Sequence, residues 1–229
     1  MDLKKPINLI IAAMEIEVRG LLDSLSTYEE TTIDNNKAYT FTLKDENYVL
    51  IQGYIGKANT AFLLGRLSVL LNIKRVFNIG TSGGVNSNLK INDVVIATRV
   101  GYHDVDVTKF GYEYGQIPDS PRYFECDNEF INAHPIDPKY SIKRGEILSG
   151  DIFIHKDNLD KYTIKENCCM CCEMEAATVG QICTRLHIPF VIVRSISDLV
   201  FEHIDMTLDS SNVKSSSTNS ALILLELIK

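Results

Sequence analysis

The fold is most restricted by the stretch Phe190-Val191-Ile192-Val193-Arg194-Ser195-Ile196-Ser197-Asp198. Residues 190–194 follow a proline and are rich in β-branched and aromatic side chains, so they predict a buried strand. Open α/β sheets bind ligands in the crevice beyond the carboxyl ends of their strands. Asp198 is therefore either a proton donor in such a crevice or the N-cap of a following helix, and this stretch alone supports both interpretations equally.

Strand-like and helix-like segments alternate along the 229 residues, which is typical of an α/β fold. The predicted strands are residues 8–14, 38–43, 48–52, 75–79, 93–102, 143–148, 168–172 and 190–194. The predicted helices are residues 15–25, 58–72, 175–186 and 215–228. We expect one domain, residues 1–229, with three α/β/α layers and a mixed central sheet flanked by helices; residues 127–142 and 155–167 are predicted as surface segments.

Composition excludes some classes of partner. With 23 Lys+Arg against 30 Asp+Glu, the net charge is −7, which argues against a nucleic-acid binder and favours a neutral or cationic small molecule. No apolar run reaches the roughly 18 residues that a membrane span needs, so no membrane association is expected.

Four of the six cysteines lie in Cys168-Cys169-Met170-Cys171-Cys172. Neighbouring side chains of a strand point to opposite faces, which makes a local four-ligand metal site geometrically poor. We therefore expect these cysteines to be small apolar fillers of a buried strand in a reducing compartment.

Pairs of glutamates follow two of the predicted strands. Glu15 and Glu17 open a helix, where the dipole favours acids; we expect Glu15 to have only that role, whereas Glu17 faces either the crevice or solvent. Glu173 and Glu175 open a later helix. Because they are spaced by two residues, one can face the crevice while the other caps the helix.

Two further segments are candidates for ligand contact. Gly80-Thr81-Ser82-Gly83-Gly84 is predicted to be a loop whose amides approach a ligand, although it has neither dinucleotide nor Walker spacing. Residues 102–118 form an aromatic loop, which predicts an interface or a ligand wall. Its His103, Asp104 and Asp106 are interpreted as a hydrogen-bonded loop rather than as metal ligands, since no second ligand cluster exists. Dispersed carboxylates with such a loop fit glycosidic chemistry but do not name a reaction.

At these residues the chain resembles the bacterial 5′-methylthioadenosine/S-adenosylhomocysteine nucleosidases of the nucleoside phosphorylase superfamily. The segments that carry the resemblance are Ala13-Met14-Glu15-Ile16-Glu17-Val18, Ile55-Gly56-Lys57, Asn78-Ile79-Gly80-Thr81-Ser82-Gly83-Gly84, the loop 102–118, Ser149-Gly150-Asp151-Ile152-Phe153-Ile154, Glu173-Met174-Glu175-Ala176 and Val193-Arg194-Ser195-Ile196-Ser197-Asp198. They span nearly the whole chain, and the order of the aromatic loop follows from no general rule of folding.

The resemblance implies hydrolysis of the N-glycosidic bond of methylthioadenosine and adenosylhomocysteine, with 5′-deoxyadenosine as a further expected substrate. By this similarity Asp198, positioned by Ser197, donates a proton to adenine N7, and Glu17 activates the attacking water. Glu175 binds the ribose hydroxyls, and Met174 packs beneath the sugar. Phe153 stacks on adenine and the Ile154 backbone reads its edge, while Ser82 and Gly83 are further expected substrate-binding residues.

The resemblance also implies a cytoplasmic homodimer that needs no cofactor. Met14, Ile55 and Leu208 are expected to wall the 5′-thio pocket, although the family typically has an aromatic residue where Leu208 stands. The aromatic loop crosses the dimer interface in this family. The residues expected to complete the partner's pocket are Val107, Phe110 and Pro118, with Tyr112 nearby.

Two other functions remain as alternatives. A purine nucleoside phosphorylase on the same fold needs arginines for phosphate, but none lies between Gly20 and Arg66, and Glu17 would repel the anion. A non-catalytic nucleoside-binding protein is disfavoured because Glu17, Glu175 and Asp198 are all present.

Overall fold

A computed structural model describes residues 5–162, 164–165, 168–201 and 210–229. Within these residues the strands are β1 (Ile7–Ala12), β2 (Glu29–Ile33), β3 (Asn36–Leu43), β4 (Glu46–Gln52), β5 (Ile73–Gly84), β6 (Val94–Tyr102), β7 (Phe124–Glu125), β8 (Ile142–Ser149), β9 (Cys171–Glu173) and β10 (Phe190–Leu199). The α-helices are α1 (Glu15–Leu22), α2 (Lys57–Leu70), α3 (Asn128–Ala133), α4 (Ala176–Leu186) and α5 (Ser210–Ile228).

The described strands form one mixed sheet in the order β10-β6-β8-β9-β5-β1-β4-β3-β2, and β7 adds to the edge of β6. A further pairing joins β10 to β5, so the strands β5, β10, β6, β8 and β9 form a closed ring. Helix α1 packs against α5, and α2 packs against α4. These contacts confirm the predicted mixed sheet flanked by helices.

The centre of the sheet is formed by β1, β5 and β10, which run parallel to one another. Their side chains are apolar on both faces, as expected of strands covered on both sides. Ile10, Phe77 and Val193, one from each strand, are at most 1% exposed. Because the strands are parallel, their carboxyl ends meet at one edge of the sheet, where the polar segments lie.

The predicted ends of two strands at this edge, residues 79 and 194, are wrong because both strands are longer. Residues 80–84 are not a loop: they continue β5, because their backbone pairs with β10 from Arg194 to Leu199. Strand β10 likewise continues past residue 194. Asp198 therefore lies within a strand and is not the N-cap of a helix.

Other differences lie away from the site. The sequence pattern does not predict β2, whose side chains are mostly polar and exposed. Residues 127–142, predicted as a surface segment, contain α3, which Asp127 caps by accepting a hydrogen bond from the Phe130 amide. The hairpin predicted from residues 38–43 and 48–52, with its turn at residues 44–47, is confirmed: β3 and β4 pair antiparallel, and only the turn is shorter, with Lys44 and Asp45 at positive φ.

The cysteine run is only partly a strand. Cys171 and Cys172 lie in β9 and are buried, as predicted, and Cys169 is buried just before it. Cys168 is exposed, so the expectation of a filler is wrong for this residue. Just before β9, Met170 donates its amide to the Glu146 carbonyl, and its own carbonyl accepts the amides of Val85 and Asn86.

No helix among the described residues is both long and apolar enough to cross a membrane.

Candidate active site

A cavity of about 180 Å³ lies at the carboxyl ends of β1, β5 and β10. Its floor comes from β5 and β10, and its walls come from the starts of α1 and α4 and from residues 152–154. The structure brings together all the predicted site residues of this chain that it describes: Met14, Glu17, Ile55, Ser82, Gly83, Phe153, Ile154, Met174, Glu175, Ser197 and Asp198. Leu208 lies outside the described residues.

Asp198 lines this cavity, and its two carboxyl oxygens have different surroundings. Its Oδ1 accepts a 2.7 Å hydrogen bond from Ser197 Oγ. Its Oδ2 is buried and has no hydrogen-bond partner within the described residues. Burial raises the pKa of the Asp198 carboxyl above its ordinary value, and the Ser197 hydroxyl opposes that shift. Compared with water, this environment therefore favours the protonated form of the Asp198 carboxyl group.

Glu17 is held firmly on the opposite side of β5. Its Oε2 accepts hydrogen bonds from the amides of Ala13 and Met14, both at 3.0 Å. Its Oε1 accepts the Thr81 amide at 2.8 Å. Burial raises the pKa of Glu17, while Arg194 and the three amides work in the opposite direction. Glu17 thus caps α1 and lines the cavity at once, whereas Glu15 is exposed and pairs with Arg19.

Glu173 and Glu175 divide their roles as their spacing predicts. Glu173 accepts the amides of Glu175 and Ala176 at the start of α4, and it also accepts Ser149 Oγ. Glu175 faces the cavity, and its Oε1 accepts the Gly56 amide at 2.9 Å. Burial, with Glu173 as the next cause, raises the pKa of Glu175. The cavity therefore contains a carboxylate whose negative charge is poorly solvated.

Arg194 provides the neighbouring positive charge, and the sequence interpretation did not assign it a role. Its Nη2 contacts Glu173, lies 3.3 Å from Glu175 Oε2 and donates to Asn78 Oδ1 at 2.6 Å. Burial disfavours the charge of Arg194, but the nearby glutamates outweigh it and raise its pKa. An arginine directly after the apolar residues 190–193 of a predicted buried strand is the feature that could have revealed this buried ion pair.

Two glycines of β5 let these groups approach one another. A Cβ on Gly80 would lie 2.6 Å from Glu17 Oε1 and would also collide with Arg194. A Cβ on Gly83 would lie 3.0 Å from Asp198 Oδ2. The glycines are therefore needed for close packing of functional side chains, and not for loop conformation.

The rest of the cavity wall is largely apolar. Phe153 and Ile55 are about half exposed at its mouth, while Ile154 is buried. The sequence interpretation gave no individual role to some of the lining residues, which come from β5, β9, loops and the start of α5: Thr81, Cys172, Ile152, Val200 and Val213. An apolar wall with carboxyl groups on its floor suits a flat heteroaromatic ring joined to a polar sugar.

The residues predicted to reach a partner subunit do not line this cavity. Phe110 is 81% exposed, in a short 3₁₀ turn of the aromatic loop. Pro118 is exposed, and Val107 and Tyr112 are partly exposed.

The structure separates the residues that were weighed as metal ligands. Asp104 binds Lys57 Nζ at 2.6 Å. Asp106 accepts the amide and hydroxyl of Thr108 within its own loop. His103 is buried, and burial lowers its pKa. Across the part of the chain that the structure describes, no group of three His, Cys, Asp or Glu side chains could hold a metal ion.

Comparison with known proteins gives a consistent result. The family model of the Phosphorylase superfamily matches residues 9–229. A 5′-methylthioadenosine/S-adenosylhomocysteine nucleosidase of Halalkalibacterium halodurans is 37% identical over 224 residues, which cover 96% of each chain.

Two solved structures extend the match. The nucleosidase of the same name from Neisseria meningitidis, in complex with methylthio-immucillin-A, is 32% identical with a TM-score of 0.85, covering 97% of this chain and 98% of its own. That from S. pneumoniae, with the transition-state inhibitor MT-ImmA, is 29% identical with a TM-score of 0.86, covering 98% and 99%. These matches confirm the resemblance that the sequence motifs indicate. The chain belongs to the phosphorylase superfamily and, within it, to the 5′-methylthioadenosine/S-adenosylhomocysteine nucleosidases.

Proposed function

We propose that this protein hydrolyses the N-glycosidic bond of 5′-methylthioadenosine and S-adenosylhomocysteine, releasing adenine and the 5-thio-substituted ribose. The observation that carries the proposal is the convergence of Glu17, Glu175 and Asp198 on one small cavity with apolar walls. The names of the relatives supply the substrate class. 5′-Deoxyadenosine is a further substrate under this proposal, since it shares the adenine and the sugar.

Asp198 is the general acid of the proposed reaction. The raised pKa keeps its carboxyl protonated at higher pH than that of a free aspartic acid. Ser197 positions the carboxyl group through its hydrogen bond to Oδ1, and the carboxyl group donates its proton to adenine N7. Protonation turns adenine into a neutral leaving group, and the ribosyl group is left with oxocarbenium character.

Glu17 is the general base that accepts a proton from the attacking water. The backbone amides that bind both of its oxygens fix its orientation, and its raised pKa makes it a stronger base than a free glutamate. Gly80 provides the space in which Glu17 and Arg194 meet behind the water position.

Glu175 binds the ribose hydroxyls and stabilises the positive charge that develops on the sugar. In the free enzyme Glu175 is repelled by Glu173 and is only partly neutralised by Arg194. A cationic ribosyl group relieves that repulsion more than the neutral substrate does, so the interaction lowers the barrier itself. Met174 packs beneath the sugar.

The apolar walls divide between the two ends of the substrate. Phe153 stacks on adenine and the Ile154 backbone reads its edge, next to Ser82 and Gly83 on the floor. Met14 and Ile55 form the wall for the 5′-thio group.

A homodimer completes the site in this proposal. On helix α2 the side chains of Phe62 and Val69 are 69% and 85% exposed. Phe110, which lies between Val107 and Pro118 in the sequence, is exposed as well. Exposed apolar side chains of this size are typical of interaction surfaces. Val107, Phe110 and Pro118 of each subunit close the 5′-thio end of the partner's cavity.

The proposed location is the cytoplasm. All six cysteines are free thiols in the structure, as a reducing compartment would maintain them.

Phosphorolysis is the alternative that the cavity argues against. None of the described residues that line it is a lysine or an arginine. The guanidinium of Arg194 is already bound by Glu173, Glu175 and Asn78, and Glu17 occupies the side where phosphate would attack. A phosphate dianion would therefore meet carboxylates without a free cation.

The test is an adenine-release assay with methylthioadenosine, adenosylhomocysteine and 5′-deoxyadenosine, each with and without phosphate. We expect release without phosphate, with the free 5-thio-substituted ribose as the second product of the two thio substrates and free 5-deoxyribose as that of 5′-deoxyadenosine. Strict dependence on phosphate, with a ribose 1-phosphate product, would show a phosphorylase. Tight adenine binding without turnover would show a binding protein.

A further inference from the structure

The N-terminus of α2 binds two segments that line the cavity. The Gly56 amide donates to Glu175 Oε1 at 2.9 Å, and the next amide, that of Lys57, donates to Asp151 Oδ1 at 2.8 Å. Amides at the start of a helix have no partner within the helix and carry its positive dipole end, so carboxylates suit both positions. The start of α2 thus fixes Glu175 and the loop that leads to Phe153 at the same time.

The Lys57 side chain adds a third segment to this arrangement. Its Nζ lies 2.6 Å from Asp104 Oδ2 and 3.8 Å from Asp151 Oδ2. Asp104 Oδ2 also accepts the Asp151 amide at 2.9 Å. The Asp104 side chain is 7% exposed and that of Lys57 is 27% exposed, so solvent screens this pair far less than a surface ion pair.

The three segments carry different parts of the proposed site. Asp151 lies two residues before Phe153, which stacks on adenine under the proposed function. Asp104 begins the aromatic loop. In the described part of the chain, the hydrogen bonds of Glu17 and Asp198 go to other groups: Ala13, Met14 and Thr81 for Glu17, and Ser197 for Asp198. The cluster can therefore act on substrate binding without touching the acid or the base.

From this geometry we infer that Lys57 is a positioning residue for the nucleosidase reaction: its ammonium holds Asp104 and Asp151 together and so sets the adenine-stacking loop. The inference rests on the proposed function for the identity of the substrate. It predicts a defect in binding, not in proton transfer.

The decisive variant is Lys57→Met, which keeps the length and apolar stem of the side chain but removes the charge. We expect KM for methylthioadenosine and Kd for free adenine each to rise about tenfold, because charge-assisted hydrogen bonds that orient the loop are lost. The turnover number kcat should stay within about threefold of wild type. Lys57→Arg should recover most of the binding, since it restores the cation.

Lys139→Met is the matched control. Lys139 pairs with Asp137 on the surface, and both side chains are well exposed, so its loss should change neither KM nor adenine affinity. Size-exclusion chromatography and thermal unfolding of every variant separate a binding defect from a change of oligomeric state or of stability.

Asp104→Asn provides a second route to the same cluster. If Lys57 and Asp104 act as one unit, the double variant should bind adenine about as weakly as the weaker-binding single variant.

Unchanged KM and adenine Kd in Lys57→Met, a loss confined to kcat, or additive effects in the double variant would overturn the inference. Adenine binding is measured without turnover, so the inference is tested even if wild type hydrolyses no thioadenosine, a result that would refute only the proposed function.

Discussion

Asp198 Oδ2 lies 3.0 Å from the point where a side chain on Gly83 would place its Cβ. The register of β5 against β10 puts Gly83 directly opposite Asp198, so the strand carrying the proton donor can pack closely only on a glycine. This oxygen is buried and has no hydrogen-bond partner among the described residues. The position of the Asp198 carboxyl group in the site therefore depends on Gly83, the residue opposite it on β5.

Gly83→Ala should lower kcat by about 10- to 100-fold, since a methyl group would displace the Asp198 carboxyl by a fraction of an ångström or more. Gly84→Ala is the matched control. Its Cβ would meet Leu199 and Ile196 side chains at 2.9 and 3.2 Å, so it crowds the same strand pair without touching a carboxyl group. Steady-state kinetics and thermal unfolding of both variants check the prediction; equal losses of kcat would contradict it.

Asp198→Asn should reduce adenine release by several orders of magnitude while the protein stays folded. Asparagine has nearly the same shape and can still accept the Ser197 hydrogen bond, but its amide does not deliver a proton to a leaving group. Circular dichroism and an adenine-release assay measure the two effects separately. Near-normal release would remove Asp198 from the mechanism.

Glu17→Gln should also reduce adenine release by several orders of magnitude, but for a different reason. The glutamine amide does not accept a proton from the attacking water. A 4-nitrophenyl 5-methylthioriboside distinguishes the two variants, since nitrophenolate departs without protonation. We expect this substrate to restore much of the activity of Asp198→Asn and little of that of Glu17→Gln. Equal rescue of both variants would show that their assigned roles are wrong.

The sequence predicts the parts of this site that depend on local order. Glu17 one turn into a helix and Glu175 two residues after Glu173 are positions that helical and strand geometry restrict by themselves. The convergence of Glu17 with Asp198 also follows, because β1 and β10 both run parallel to β5 and bring their carboxyl ends to one edge; β9, which precedes Glu175, pairs antiparallel with β5 and does not follow this rule.

The features that local sequence patterns miss depend on how strands that are distant in the sequence pair with one another. Residues 80–84 look like a loop, and only their pairing with β10 makes them a strand. The sequence pattern predicts Arg194 only as a residue of a strand. The fold is what places its partners, Glu173 and Glu175, beside it. Val213 enters the cavity from the first turns of α5, at the far end of the chain.

The buried carboxyl groups should make stability depend on pH in a particular direction. The pKa of Glu175 is raised above its ordinary value of 4.5, so the folded state binds its proton more tightly than the unfolded state does. The stabilisation from this proton is complete below pH 4.5 and is lost as pH rises through the higher folded pKa. The free energy of unfolding should therefore fall over that interval in wild type.

Glu175→Gln should abolish this contribution. Its Tm relative to wild type should rise as pH increases from about 5 to 9, because glutamine does not ionise. Thermal unfolding at a series of pH values measures the difference. Glu146→Gln is a suitable control, since Glu146 pairs with Arg99 outside the cavity. A Tm difference that stays constant with pH would mean that Glu175 titrates equally in the folded and unfolded states.

Phe110→Ala should raise KM for methylthioadenosine although Phe110 lies outside its own subunit's cavity. Under the proposed dimer, Phe110 closes the partner's pocket, so the defect should be repaired by a partner that keeps Phe110. A heterodimer of Phe110→Ala with Asp198→Asn contains one site that has Asp198 from the first subunit and Phe110 from the second. Co-expression with two affinity tags isolates this species, and we expect it to show wild-type KM at one site. Each homodimer alone should remain defective.

A heterodimer that keeps the high KM of Phe110→Ala would show that Phe110 acts within its own subunit. The exposed Phe62 and Val69 of α2 would then need another explanation.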